Sequence, residues 1–211
     1  DLSIHGSKMY QTPNIDALAK ESVAFSNAYA NYPRCVPSRF AMMTGNYPIK
    51  DGDVPDDGFK MDDIKEDKNF IKNIKSAGYQ TAYFGKWHLG DKESLQNFGY
   101  DYSFAAGKAG SPISFMYPFN TPKWTKKKSK KSPIPDVDEV SKEGDYLMDV
   151  MTNNVIKYIK NRDKNKPFMA MFSFYAVHQP LEAKEKDINR NKKEIKNFDF
   201  GNQPEFIKEG T

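Results

Sequence analysis

Arg34-Cys35-Val36-Pro37-Ser38-Arg39-Phe40-Ala41-Met42-Met43-Thr44-Gly45 is the run from which the rest of the chain reads, and it holds the only cysteine among 211 residues. Pro37 suits the first turn of a helix, where a missing N–H costs nothing. Phe40, Ala41, Met42 and Met43 are expected to fill that helix's inner side, and Gly45 to end it. This puts Cys35 at or just before a helix N-terminus, where unpaired amides and the dipole favour an anion. Arg39 adds a fixed positive fork beside it. A tetrahedral oxyanion would suit such a place. The plainer reading is a small buried hydrophobe, since most lone cysteines are that. A catalytic thiol would also need a base nearby.

Upstream, Thr12-Pro13-Asn14-Ile15-Asp16 predicts a helix start, with Thr12 as cap and Pro13 in the first position. Ile15, Leu18, Ala19 and Ser22 recur at helical spacing, and Val23 to Tyr29 alternates like a half-buried strand. Residues 1–11 read as a polar loop carrying His5. Downstream, residues 48–65 read as a loop, and Asp51, Asp53, Asp56 and Asp57 as a solvated face without the spacing of a calcium-binding EF-hand. Phe70, Ile71, Ile74 and Ala77 form a helical stripe ended by Gly78, and Tyr79 to Gly85 reads as a strand. That order belongs to an α/β layer architecture.

Gly85-Lys86-Trp87-His88-Leu89-Gly90 follows the strand, where catalytic groups of open α/β sheets tend to gather. Lys86 and His88 are two apart, so an extended segment would point both to one side. Aromatic residues crowd 97–122, with core packing as their ordinary role. Next comes a basic run with Lys123, Lys126, Lys127, Lys128, Lys130 and Lys131, either a solvated loop or a means of steering a polyanion. Leu147, Met151, Val155, Ile156 and Ile159 form an apolar helical stripe. Phe168 to Tyr175 suits a buried parallel strand, and His178-Gln179-Pro180 follows it. The tail from Glu182 is charged and weakly periodic, a long loop or a helix without a packing partner.

Cys35-x-Pro37-Ser38-Arg39 with its Thr44-Gly45, Gly85-Lys86-Trp87-His88-x-Gly90, and His178-x-Pro180 resemble, in this order, the motifs of the formylglycine-dependent sulfatases. Thr12-Pro13-Asn14-Ile15-Asp16 and Phe25-Ser26-Asn27-Ala28-Tyr29 resemble that family's lead-in. The resemblance implies a three-layer α/β/α fold with a mainly parallel central sheet, alkaline-phosphatase-like. It also implies that residues 1–211 are a partial N-terminal catalytic domain, with the first strand and the C-terminal part outside this sequence.

The same resemblance implies a chemistry and its residues. A formylglycine-generating or anaerobic sulfatase-maturing enzyme would oxidise Cys35 to an aldehyde, and one oxygen of the hydrate would attack sulfur. Arg39 would hold the hydrate, Lys86 would contact the sulfate, and His178 would donate to the departing oxygen. His88 would then take the proton that expels sulfate. Ca2+ is the implied ion, with the modified Cys35 as its one ligand here and the others outside the chain, so the chain alone is expected to bind calcium poorly and turn over little. Sulfated carbohydrates or other sulfate esters are the implied substrates. Periplasmic or secreted localisation is implied too, with a signal peptide not in this sequence.

Composition bounds these readings. At 38% hydrophobic and 14% aromatic residues the chain argues against global disorder. A net charge of +4 does not call for nucleic acid, and no nucleic-acid motif accompanies it. No run is long enough to cross a membrane. Alternatives are a phosphonate or phosphate monoester hydrolase of the same superfamily, and a catalytically silent polyanion-binding relative. A thiol hydrolase pairing Cys35 with His88 or His178 is the remaining one.

Overall fold

The computed structural model describes residues 2–48, 69–122, 129–196 and 198–199. The chain divides into two compact units, 30–183 and a second made of 1–29 with 184–211.

The larger unit is built on three parallel strands, β1 (Gln80–Gly85), β2 (Tyr102–Phe104) and β3 (Phe168–Ser173), in the order β2-β1-β3. The register runs from Gln80 opposite Phe168 to Gly85 opposite Ser173, and Ala82 lies opposite Tyr102. Parallel neighbours need crossovers, and helices are present in both: α4 (Lys92–Phe98) between β1 and β2, α5 (Leu147–Asn161) between β2 and β3.

Alternation along β1 explains the layers. Ala82 and Phe84 face one way, into a core with Phe104, Leu147, Met151 and Tyr175. Tyr83 faces the other way, into a core with Ile71, Trp87, Leu95, Phe98 and Tyr100. That second core also takes Met43 from α2 (Cys35–Thr44), while Ile71 belongs to α3 (Phe70–Ser76). Helices therefore cover both faces of a parallel sheet, the expected α/β/α arrangement.

Several elements follow the sequence closely. Helix α3 starts at Asn69, whose side chain accepts from the backbone N–H groups of Ile71 and Lys72. Helix α2 ends at Gly45 with φ of 70°, as its sequence predicts. Other expectations are corrected. Met42 is 51% exposed, so the inner side of α2 is Ala41 and Met43 with Phe40 half-buried. On α5 only Leu147 and Met151 are fully buried; Val155 and Tyr158 pack on the sheet half-buried, and Ile156 and Ile159 face the surface. Strand β3 is half-buried throughout rather than enclosed, having β1 as its one paired neighbour among the described residues.

In the smaller unit, α1 (Pro13–Lys20) begins as its sequence predicts, but the Thr12 hydroxyl does not cap it. It accepts from the Ser3 N–H at 3.1 Å and donates to Asp16 at 3.2 Å, fastening the short helical turn Ser3–His5 to α1. Val23 to Tyr29 forms no strand. Val23, Phe25 and Tyr29 are at least 79% exposed, and alternation without a partner strand and a face to bury does not hold a strand. The tail contains α6 (Glu185–Lys196), with no buried residue. Asp51, Asp53, Asp56 and Asp57 lie outside the described residues, as do Lys123, Lys126, Lys127 and Lys128.

Candidate active site

The site forms where parallel strands β1 and β3 end side by side. The Lys86 N–H donates to the Ser173 carbonyl at 2.9 Å, so the ladder is carried one residue past β1, opposite the last residue of β3. Gly85 makes that closeness possible. A Cβ there would stand 2.1 Å from the Ser173 carbonyl oxygen, and its φ is 88°. The chain beyond Gly85 carries Lys86 and His88, and the chain beyond Ser173 carries His178.

Helix α2 meets the same edge. Its first residue is Cys35, an exposed free thiol, and Arg39 lies one turn further on. The Arg39 Nη1 donates to the Tyr83 hydroxyl at 3.3 Å, to the Ser173 hydroxyl at 3.1 Å and to the Lys86 carbonyl. Tyr83 in turn donates to the Lys86 carbonyl at 2.7 Å. The guanidinium is thus locked by β1, β3 and the turn after β1 together. Sequence reading found Arg39 but missed Tyr83 and Ser173. A tyrosine and a serine inside strand patterns carry no mark that distinguishes them from packing residues.

Lys86 is 5% exposed, and no carboxylate among the described residues pairs with it. Burial holds its pKa below the ordinary lysine value; the neighbouring Cys35 sulfur opposes this and Arg39 reinforces it. A buried ammonium and a locked guanidinium without a carboxylate leave positive potential to be met by an anion.

His88 and His178 reach one cavity of about 320 Å³. His88 is not in the extended conformation its spacing from Lys86 suggests. Its φ is 60°, a left-handed backbone that is uncommon outside glycine and that gathers at functional sites. Its imidazole packs against Gly110, where a Cβ would stand 2.3 Å from the ring. Its Nδ1 is enclosed and has no hydrogen-bond partner among the described residues. Burial first, then the charges of Lys86, Arg39 and His178, depress the His88 pKa to about 4, so the ring is a neutral base at neutral pH. His178 is exposed, and its Nδ1 lies 3.0 Å from the Gln179 carbonyl. His5 lies in the smaller unit, on the exposed short turn.

The aromatic segment after α4 is mostly core: Phe98, Tyr100, Phe104, Phe115 and Phe119 are buried. As to a metal, no group of three or more His, Cys, Asp or Glu side chains stands together among the described residues. The charged groups that act on Lys86 are Cys35 and the cation Arg39, a set that does not by itself fit a divalent ion.

A parallel α/β sheet thus brings a locked arginine, a buried lysine and two histidines to its carboxyl edge. The chain belongs to the sulfatase family: the family model described as Sulfatase matches residues 1–199. It is 31% identical over 179 residues to an N-acetylglucosamine-6-O-sulfatase of Bacteroides thetaiotaomicron, covering 84% of this chain and 28% of that protein. An ulvan-active sulfatase of Formosa agariphila is 32% identical over 188 residues, covering 85% of this chain and 33% of the relative. A protein solved in complex with its substrate, D-glucosamine-2-N,6-O-disulfate, superposes with a TM-score of 0.60 at 29% identity, over 84% of this chain and 32% of that one. The chain thus spans between 28% and 33% of the length of these relatives. Among the described residues no helix is long and apolar enough to cross a membrane.

Proposed function

We propose that the protein hydrolyses sulfate monoesters of carbohydrates, with Cys35 matured to formylglycine as the source of the nucleophile. The observation that carries this is the convergence on the helix that begins at Cys35: Arg39 locked by Tyr83, Ser173 and the Lys86 carbonyl, and Lys86 buried with no carboxylate partner among the described residues. When present, the hydrated aldehyde supplies an oxygen nucleophile at the helix start. Arg39 and Lys86 hold the sulfate oxygens and offset the charge that grows on them in the transition state. His178, outermost, gives a proton to the leaving alcohol. His88, neutral because it is buried among cations, takes the proton whose removal releases sulfate.

Calcium belongs to this reading as the ion of the complete enzyme, bound with donors beyond those described here. A maturing enzyme that oxidises the Cys35 Cβ and replaces sulfur with oxygen is its required partner, and a periplasmic or secreted setting fits sulfated glycans as substrates. Residues 1–211 are in this reading part of the catalytic domain. The cations do not distinguish sulfate from phosphate, so paired substrates test the reading. The full-length protein is expected to hydrolyse an aryl sulfate or a 6-O-sulfated amino sugar, and Cys35→Ala to abolish this. Preferential hydrolysis of the matching phosphate ester would move the assignment to phosphomonoesters. Turnover blocked by thiol alkylation of the mature protein would move it to a thiol nucleophile.

A further inference from the structure

The cavity that takes His88 and His178 carries more positive charge than one sulfate needs. Besides the histidines it is lined, among the described residues, by Lys108 and Lys131 and by the hydroxyl residues Ser111 and Ser132, with no carboxylate among these. Lys131 is exposed but tethered. Its Nζ donates to the Pro112 carbonyl at 3.0 Å, which fixes the ammonium at the wall and leaves its other two hydrogens for a ligand. Lys108 has a loose ion pair with Asp91 at 3.7 Å, and with the two side chains 65% and 58% exposed that pair holds it weakly. Arg39 and Lys86 already serve the scissile group, so these two lysines stand in addition to it. A cavity of about 320 Å³ lies at the small end of ligand pockets, the scale of a compact polar ligand.

We infer that Lys108 and Lys131 form a second anion subsite beside the proposed sulfate site, so that the preferred substrate is a glycan carrying a further negative group, sulfate or carboxylate, near the ester that is cleaved. This rests on the hydrolase reading above and extends it to substrate selection. Ser111 and Ser132 supply neutral donors to the same group. Both lysines fall outside the three motifs and are specificity residues.

The test compares the full-length protein with its Lys108→Ala/Lys131→Ala variant on three ligands: glucosamine 6-O-sulfate, glucosamine-2-N,6-O-disulfate, and a 6-O-sulfated glucosamine joined to a uronate. The readout is the ratio of kcat/KM for each doubly anionic ligand to that for the singly anionic one, which cancels any general loss in the variant. The wild type is expected to favour at least one doubly anionic ligand, and the variant to lower that ratio about tenfold. The ligand that loses its advantage tells whether sulfate or carboxylate is the second group. An unchanged ratio, or no preference in the wild type, overturns the subsite. If no sulfate ester is hydrolysed at all, the hydrolase reading fails by itself. Calorimetric binding of the same ligands then decides the subsite: lost preference in the variant upholds it, and equal binding to both proteins overturns it.

Discussion

Arg39 shows what one residue type does that its nearest substitute cannot. Its Nη1 meets Tyr83, Ser173 and the Lys86 carbonyl at once, leaving the rest of the fork for an anion. Arg39→Lys keeps the charge but loses that geometry. It is expected to lower kcat for sulfate ester hydrolysis about a hundredfold or more while the fold persists by circular dichroism. His88 makes a second prediction. In the folded chain it charges only near pH 4, whereas an unfolded chain charges it near the ordinary 6.5. The unfolded state therefore binds the extra proton between those values, so the stability from a neutral His88 is present above about 6.5 and is lost as pH falls toward about 4. The C2 proton signal of His88 in an NMR titration is expected to move near pH 4; movement near 6.5 would contradict the burial argument. Gly110→Ala bears on the same ring. Its Cβ would collide with the imidazole, so His88 is expected to titrate closer to its ordinary value and turnover to drop with it. Wild-type titration in that variant would show that Gly110 does not set the ring's position.

Elements decide how those residues meet. Strands β1 and β3 pair through Gly85 and Ser173, and the side chains after each strand land at one edge because the strands are parallel. Met151 on α5 supports that edge from below. It is fully buried, and its terminal methyl would stand 2.6 Å from a Cβ on Gly85. Met151→Ala is expected to cost about 2–5 kcal/mol in urea denaturation through the cavity it leaves. A cost under about 1 kcal/mol would mean that this side of the sheet is not packed as described. At this scale the sequence was informative where a pattern found a partner. Helices α2 and α3, strand β1 and the start of α1 were legible from caps, glycines and periodicity. Val23 to Tyr29 was misread because alternation records a capacity to pair and not a partner. Thr12 was misread as a cap because its hydroxyl has better-placed partners in Ser3 and Asp16.

For the whole molecule, three motifs spread from Cys35 to Pro180 were enough to identify the family and its layers. They were legible because their residue types and their order along the chain are those of the family. Tyr83, Ser173 and Gly110 were not legible, since each acts through a contact with a residue distant in sequence. The depressed His88 pKa was equally hidden, because it comes from burial and from charges brought by other segments. The left-handed turn at His88 lay beyond any spacing rule as well.

In the proposed reading a helix start, cationic neighbours and two histidines serve a nucleophile made from Cys35. Mass spectrometry of the Cys35 peptide, from the full-length protein expressed in its own host, tests it most directly. An aldehyde at Cys35, trapped as a hydrazone, is expected in the fraction that hydrolyses sulfate esters. An unmodified thiol at full occupancy in active protein would contradict it.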